Sequence, residues 1–140
     1  YNFPDEKTQT YYLYCATRQK ADRPNGKHGL KMYKSRDLKT WEGPYMVYES
    51  VDSEWADASH GIWAPEMHEY KGKYYLFATF TNEKSPLPQQ VPGRPFLRRR
   101  ATAILVADTP EGPFVPLTGT PHTPVRSLPP TGCLSMSHYM

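Results

Sequence analysis

Gly61-Ile62-Trp63-Ala64-Pro65-Glu66-Met67-His68-Glu69-Tyr70-Lys71-Gly72-Lys73-Tyr74-Tyr75-Leu76-Phe77-Ala78-Thr79 reads as one β-hairpin. Its side chains alternate from Trp63 to Tyr70. Strict alternation places Trp63, Pro65, Met67 and Glu69 on one face and Ala64, Glu66, His68 and Tyr70 on the other. Lys71-Gly72 supplies a tight turn, because glycine tolerates the positive φ that short hairpin loops demand. Tyr74 to Phe80 is a second run of aromatic and apolar residues suited to a buried strand. A bulky aromatic beside a carboxylate at a strand end suits a sugar-binding cleft. It suits an ordinary buried strand as well.

Working outward, the second half of this hairpin has an earlier counterpart. Tyr11-Tyr12-Leu13-Tyr14-Cys15-Ala16-Thr17 matches Tyr74-Tyr75-Leu76-Phe77-Ala78-Thr79, and each follows a turn containing lysine. Leu30 to Ser35 and then Arg36-Asp37-Leu38-Lys39-Thr40-Trp41-Glu42-Gly43-Pro44 follow the first copy. Ala103 to Ala107 and then Asp108-Thr109-Pro110-Glu111-Gly112-Pro113-Phe114 follow the second. Each unit is therefore strand, loop, strand, acidic turn, Glu-Gly-Pro and an outer strand. The period is roughly 65 residues, longer than the ~40–50 of common propeller repeats, with the excess in loops. Antiparallel four-stranded units repeated in this way are what β-propeller blades look like in sequence, and stacking against neighbours completes their core. Residues 1–124 carry the pattern of two blades. Residues 125–140 lose it and are expected to be an irregular tail, with Leu134-Ser135-Met136 the one candidate strand there. The Pro-rich stretch from Thr81 to Arg100 argues against regular pairing between the inner strands of the second unit.

Composition agrees with an all-β chain. Fifteen prolines, nine glycines and eleven tyrosines favour short strands and turns, and no window sustains a helical period. Two cysteines, Cys15 and Cys133, do not make a disulfide framework. No apolar run reaches membrane-spanning length, and no signal peptide is read; the opening Tyr1 leaves the compartment undetermined. The net charge of +3 is mild. Its excess sits in Arg94, Arg98, Arg99 and Arg100, read as a solvated loop rather than a nucleic-acid or phosphate patch.

Tyr11 to Tyr14, Ser35-Arg36-Asp37-Leu38-Lys39-Thr40-Trp41, Gly61-Ile62-Trp63-Ala64-Pro65-Glu66, Gly72-Lys73-Tyr74-Tyr75-Leu76 and Ala107 to Phe114 occur in an order that resembles glycoside hydrolase family 43. These are arabinanases, arabinofuranosidases and β-xylosidases on a five-bladed β-propeller. The resemblance implies inverting hydrolysis of arabinose- or xylose-containing polysaccharide. Two carboxyl groups about 6.5–9.5 Å apart would act as base and acid, with a third tuning the acid. No redox cofactor is implied. Some members hold a metal in the propeller channel, and no ligand set for one is read here.

The resemblance places the base in an Asp-Pro dipeptide just before the residues that open this chain, Tyr1-Asn2-Phe3-Pro4-Asp5. The other two carboxylates belong to later blades. Leu128-Pro129-Pro130-Thr131 and His138-Tyr139-Met140 only weakly resemble the segment that carries the tuning aspartate. No residue here is therefore assigned as catalytic, and the chain alone is expected to be inactive. Trp63 is implied as a sugar-stacking residue, with inter-blade packing as the alternative. Glu66 and His60 are candidates for hydroxyl contacts, with an ion pair pinning the hairpin as the alternative for Glu66.

Other groupings carry less. Glu66 with Asp57 is a poor acid–base pair, since one lies on a strand and the other in an unpatterned loop. His60, Glu66 and His68 match no metal-ligand spacing. Asp52, Glu54 and Asp57 around Trp55 read as a solvated acidic loop rather than a calcium site. Tyr11, Tyr12 and Tyr14 read as blade core. Two non-enzymatic classes stay open: a carbohydrate-binding propeller fragment, and a piece that folds only with a partner. Exposed blade faces would favour self-association.

Overall fold

Each Tyr-Tyr-Leu segment forms the second strand of its own four-stranded antiparallel sheet. The computed structural model describes residues 2–53 and 55–118. The first sheet holds β1 (Asn2–Asp5), β2 (Thr10–Ala16), β3 (Gly29–Ser35) and β4 (Glu42–Glu49), in that order. The second holds β5 (Trp63–Tyr70), β6 (Lys73–Pro86), β7 (Arg98–Ala107) and β8 (Val115–Pro116), also in order. Among the described residues the one helical element is a short 3₁₀ turn at Lys20–Asp22, and no helix is long and apolar enough to cross a membrane. The fold is all-β: two propeller-type blades, part of a propeller.

Local chemistry explains the turns. Both Lys71 (φ 50°) and Gly72 (φ 79°) lie in the left-handed region, the arrangement two-residue hairpin loops use to match strand twist. The Ser35–Trp41 motif proves to be a turn that caps β3. The Ser35 hydroxyl accepts from the Leu38 N–H at 2.9 Å, and the Asp37 carboxylate accepts from the Lys39 and Thr40 N–H groups at 2.8 Å each.

The core lies between the sheets. Tyr12, Tyr14, Leu30, Met32 and Val47 from the first sheet meet Met67, Tyr74, Leu76, Ala78, Phe80 and Leu105 from the second. Alternation along β6 supplies this face, since Tyr74, Leu76, Ala78 and Phe80 pair with Ala107, Leu105, Ala103 and Ala101. The alanines of β7 leave room for the rings opposite. Tyr48 meets Phe80 edge-on at 6.2 Å, and Phe3 meets Tyr74 likewise at 6.0 Å. Burying each large side chain contributes about 1.5–3 kcal/mol.

The turn from Asp108 to Pro113 fastens the second sheet to the first. The Tyr14 hydroxyl donates to the Pro110 carbonyl at 2.5 Å, and Lys34 pairs with Glu111 at 2.8 Å. Tyr14 also meets Phe114 edge-on at 6.3 Å.

Two expectations change. The stretch from Thr81 to Arg100 pairs at its two ends, where Thr81, Asn82 and Pro86 face Arg100, Arg99 and Arg98, while residues 87–97, with Pro88, Pro92 and Pro95, stay outside the strands as expected. The register shifts between Asn82 and Pro86, so the irregularity demanded by the proline is absorbed in one bulge. Asp57 is not solvated. Its side chain is 2% exposed and lies 3.3 Å from Lys84. Glu54, the 125–140 tail, Cys133 and the Leu128–Thr131 and His138–Met140 segments lie outside the described residues.

Candidate functional site

β5 does not alternate as a regular strand would. Trp63 pairs with Thr79 and Glu66 with Phe77, so three steps on β5 oppose two on β6. The extra residue is absorbed at Ala64, whose φ of 50° lies in the left-handed region. The bulge reverses the phase. Trp63 shares a face with Glu66 and His68, and Met67 turns into the core, where strict alternation would have put Trp63 beside Met67.

This frees the indole. Trp63 is 54% exposed and takes no part in the core between the two sheets. The Arg100 guanidinium covers one face of its ring, 4.9 Å from the centroid, and Arg100 Nε donates to the Thr81 hydroxyl at 3.1 Å. One ring face is thus occupied by a fixed cation, and such stacking favours a set orientation.

Trp63 stands on a groove of about 770 Å³ between the end of β2 and the start of β5. Cys15, Thr17, Arg18, His28, Gly61 and Pro65 are among its walls. The size lies in the range of ligand clefts. A Cβ added at Gly61 would sit 3.8 Å from His28 Nδ1 and 4.0 Å from Trp63 Nε1, so glycine leaves the floor open between those rings. His28 Nε2 lies 2.9 Å from Arg23 Nη1, which can only donate; Nδ1–H therefore faces the Thr17 carbonyl at 3.3 Å. Burial holds the His28 pKa below its ordinary value, and the Arg23 charge acts in the same direction. The histidine is a neutral wall residue near pH 7. Burial pushes the Cys15 thiol up, so it stays protonated.

The other sequence candidates separate. The Glu66 carboxylate lies 2.8 Å from His68 Nε2 on the exposed surface of β5. His60 turns instead toward the β6–β7 hairpin, with Nδ1 3.4 Å from Glu83; its buried Nε2 has no hydrogen-bond partner among the described residues. Burial would raise the Asp57 pKa, but the Ser59 hydroxyl and N–H and the Lys84 ammonium outweigh it and leave the carboxyl below its usual range. Asp57 is an ionised clamp for its own loop. Among the described residues no group of three His, Cys, Asp or Glu side chains is placed to hold a metal ion, so no metal chemistry is built on them.

The sequence singles out Trp63 but gives no sign of the residues packed around it. Arg100 comes from a stretch read as a solvated loop, yet it lies on β7 opposite Thr81. His28 follows Pro24, Asn25 and Gly26 in a loop with no pattern to mark it. Chemically the site is a shallow aromatic platform with a basic rim, suited to the apolar face and hydroxyls of a sugar.

A family model described as glycosyl hydrolases family 43 matches residues 5–131. Among solved structures, the chain is similar to the endo-arabinase from Bacteroides thetaiotaomicron VPI-5482. The identity is 35% and the TM-score 0.56, over 89% of this chain and 35% of that one. The chain spans about a third of the length of that relative. No curated protein matches it.

Proposed function

The chain belongs to glycosyl hydrolases family 43, and from that premise we propose that it forms part of a hydrolase cleaving O-glycosidic bonds in arabinose- or xylose-containing polysaccharide. The likeness to an endo-arabinase favours arabinan. One observation carries the reading: Trp63, on a bulged strand end over a groove, offers one open ring face while Arg100 covers the other. A sugar's C–H face stacks on such a surface, and the hydroxyls around it meet the basic rim.

Trp63 is the principal substrate contact in this proposal. Glu66, held by His68, reaches hydroxyls further along the strand. His60 acts indirectly, through the hairpin it touches. The two sheets, from β1 to β8, provide two blades.

Cleavage with inversion needs one carboxyl as general base for water and another as general acid, the second with a raised pKa. Asp57 fits neither role, being buried and clamped in its ionised form. Glu66 is exposed and engaged by His68. Neither of these two carboxyls fits either role, and in this proposal residues 1–140 alone bind sugar without appreciable turnover and self-associate through the half-buried outer face of Tyr75, Phe77, Ile104 and Val106.

The test is a tryptophan-fluorescence titration with arabinan- and xylan-derived oligosaccharides, run beside a reducing-sugar assay. Saturable quenching by arabino-oligosaccharide, lost in Trp63→Ala, is expected. Quenching that persists in Trp63→Ala would remove the platform from the account. Hydrolysis abolished by Glu66→Gln would make Glu66 catalytic and overturn the expected inactivity.

A further inference from the structure

Three consecutive arginines of β7 each cover an aromatic ring. Arg98 lies over Phe96 at 4.9 Å, Arg99 over Trp55 at 5.3 Å and Arg100 over Trp63 at 4.9 Å. Alternation sends Arg98 and Arg100 to one side of the strand and Arg99 to the other. Trp55 is half-buried, whereas Phe96 is 55% and Trp63 54% exposed. Phe96 and Trp63 are thus two open rings, each capped on one face by a guanidinium. Their arginines are anchored about 7 Å apart, the rise of two strand residues.

A single exposed phenylalanine needs no explanation. This one is held in place. Arg98 forms an ion pair with Glu83, and its Nε also donates to the Glu83 carbonyl at 3.3 Å. The Gln90 amide closes the loop, donating to the Leu87 and Leu97 carbonyls at 2.7 and 2.9 Å and accepting from the Leu97 N–H at 3.0 Å. The base of the hairpin is tied to the loop that leads into Trp63. Asn82 donates to the Ser53 carbonyl at 2.9 Å, Lys84 meets Asp57 at 3.3 Å, and His60 meets Glu83 at 3.4 Å. The position of Phe96 relative to the site is therefore set before any ligand arrives, which lowers the ordering cost of binding.

We propose that Phe96 on Arg98 is a second sugar platform, beyond Trp63, that selects for chains long enough to reach both rings. The proposal rests on Trp63 as the first platform. The occupant is an extended oligosaccharide of neutral sugars. It presents apolar C–H faces to both rings and hydroxyls to the guanidinium edges. Two separated rings are too little surface for a stable protein interface, which buries upwards of about 1,200 Å².

The test measures affinity of the 140-residue chain for arabino-oligosaccharides of increasing length, from the disaccharide upward. Wild type should gain affinity with length and then level off. Phe96→Ala should lose that gain, about ten-fold for the longest sugar, with disaccharide binding unchanged; Phe96→Trp should restore it. Equal effects of Phe96→Ala on short and long sugars, or none on either, would overturn the proposal while leaving Trp63 in place. Binding unaffected by Trp63→Ala, or no binding at all, would remove the first platform and the second with it. Sedimentation of the same variants completes the test: loss of self-association alone in Phe96→Ala would make this surface a contact between copies and refute the sugar reading.

Discussion

Replacing Tyr14 by Phe removes one oxygen atom from the joint between the two sheets and leaves its packing in place. The Tyr14 side chain is fully buried, and its hydroxyl donates to the Pro110 carbonyl at 2.5 Å. The ring contacts, stacked on Tyr12 at 6.5 Å and edge-on to Phe114 at 6.3 Å, need no hydroxyl. Pro110 is itself buried, so its carbonyl loses a donor where water cannot easily replace it. An unsatisfied buried acceptor costs about 1–3 kcal/mol. At roughly 4 °C per kcal/mol for a chain of this size, the midpoint should fall by about 4–12 °C. Thermal melting followed by circular dichroism measures the midpoint and urea denaturation the free energy, and the m-value should stay unchanged because the surface exposed on unfolding is the same. Tyr45→Phe is the control. That ring is 44% exposed beneath Lys34, and its substitution should stay within about 0.5 kcal/mol. If Tyr14→Phe behaves like the control, the Asp108–Pro113 turn does not fasten the sheets as argued.

Lys71→Asn should stabilise the chain by about 0.5 kcal/mol, because asparagine suits the left-handed first position of this turn better than lysine; thermal melting checks it. Ala64→Val should cost about 1–3 kcal/mol and weaken oligosaccharide binding. A β-branched residue resists the φ of 50° that turns Trp63 outward, and Ala64→Gly should keep both properties. Asp57→Asn should lower stability at neutral pH and flatten the acid limb of the stability profile. The folded carboxyl titrates below its usual range, so its contribution is present above about pH 4, the unfolded value, and is lost as pH falls through the folded value. Urea midpoints taken across that range test it; parallel profiles for the two proteins would contradict the clamp.

The blade pattern was legible because period-two alternation and turn chemistry are local. Tyr74 to Phe80 lines the core as its pattern requires, and the two Glu-Gly-Pro repeats lead into the outer strands of their units, one at the start of β4 and the other just before β8. The Ser35–Trp41 motif was visible, but its role as a self-contained turn needed the hydrogen bonds. What escaped depended on single residues in unusual states. Ala64 carries no sign that it adopts a positive φ, yet that one angle decides which face Trp63 occupies. Pro86 suggested a break, whereas one register shift lets the pairing reach it. Arg98, Arg99 and Arg100 resembled a solvated run because their ring partners are distant or unpatterned in sequence. Asp57 looked solvated because Lys84 lies 27 positions away, on the neighbouring hairpin.

The most direct test of the sugar cleft is a crystal structure of the chain with an arabino-oligosaccharide bound. One sugar ring should stack on the open face of Trp63, opposite Arg100, with its hydroxyls toward the groove wall. A sugar bound elsewhere, with Trp63 covered by protein instead, would contradict it.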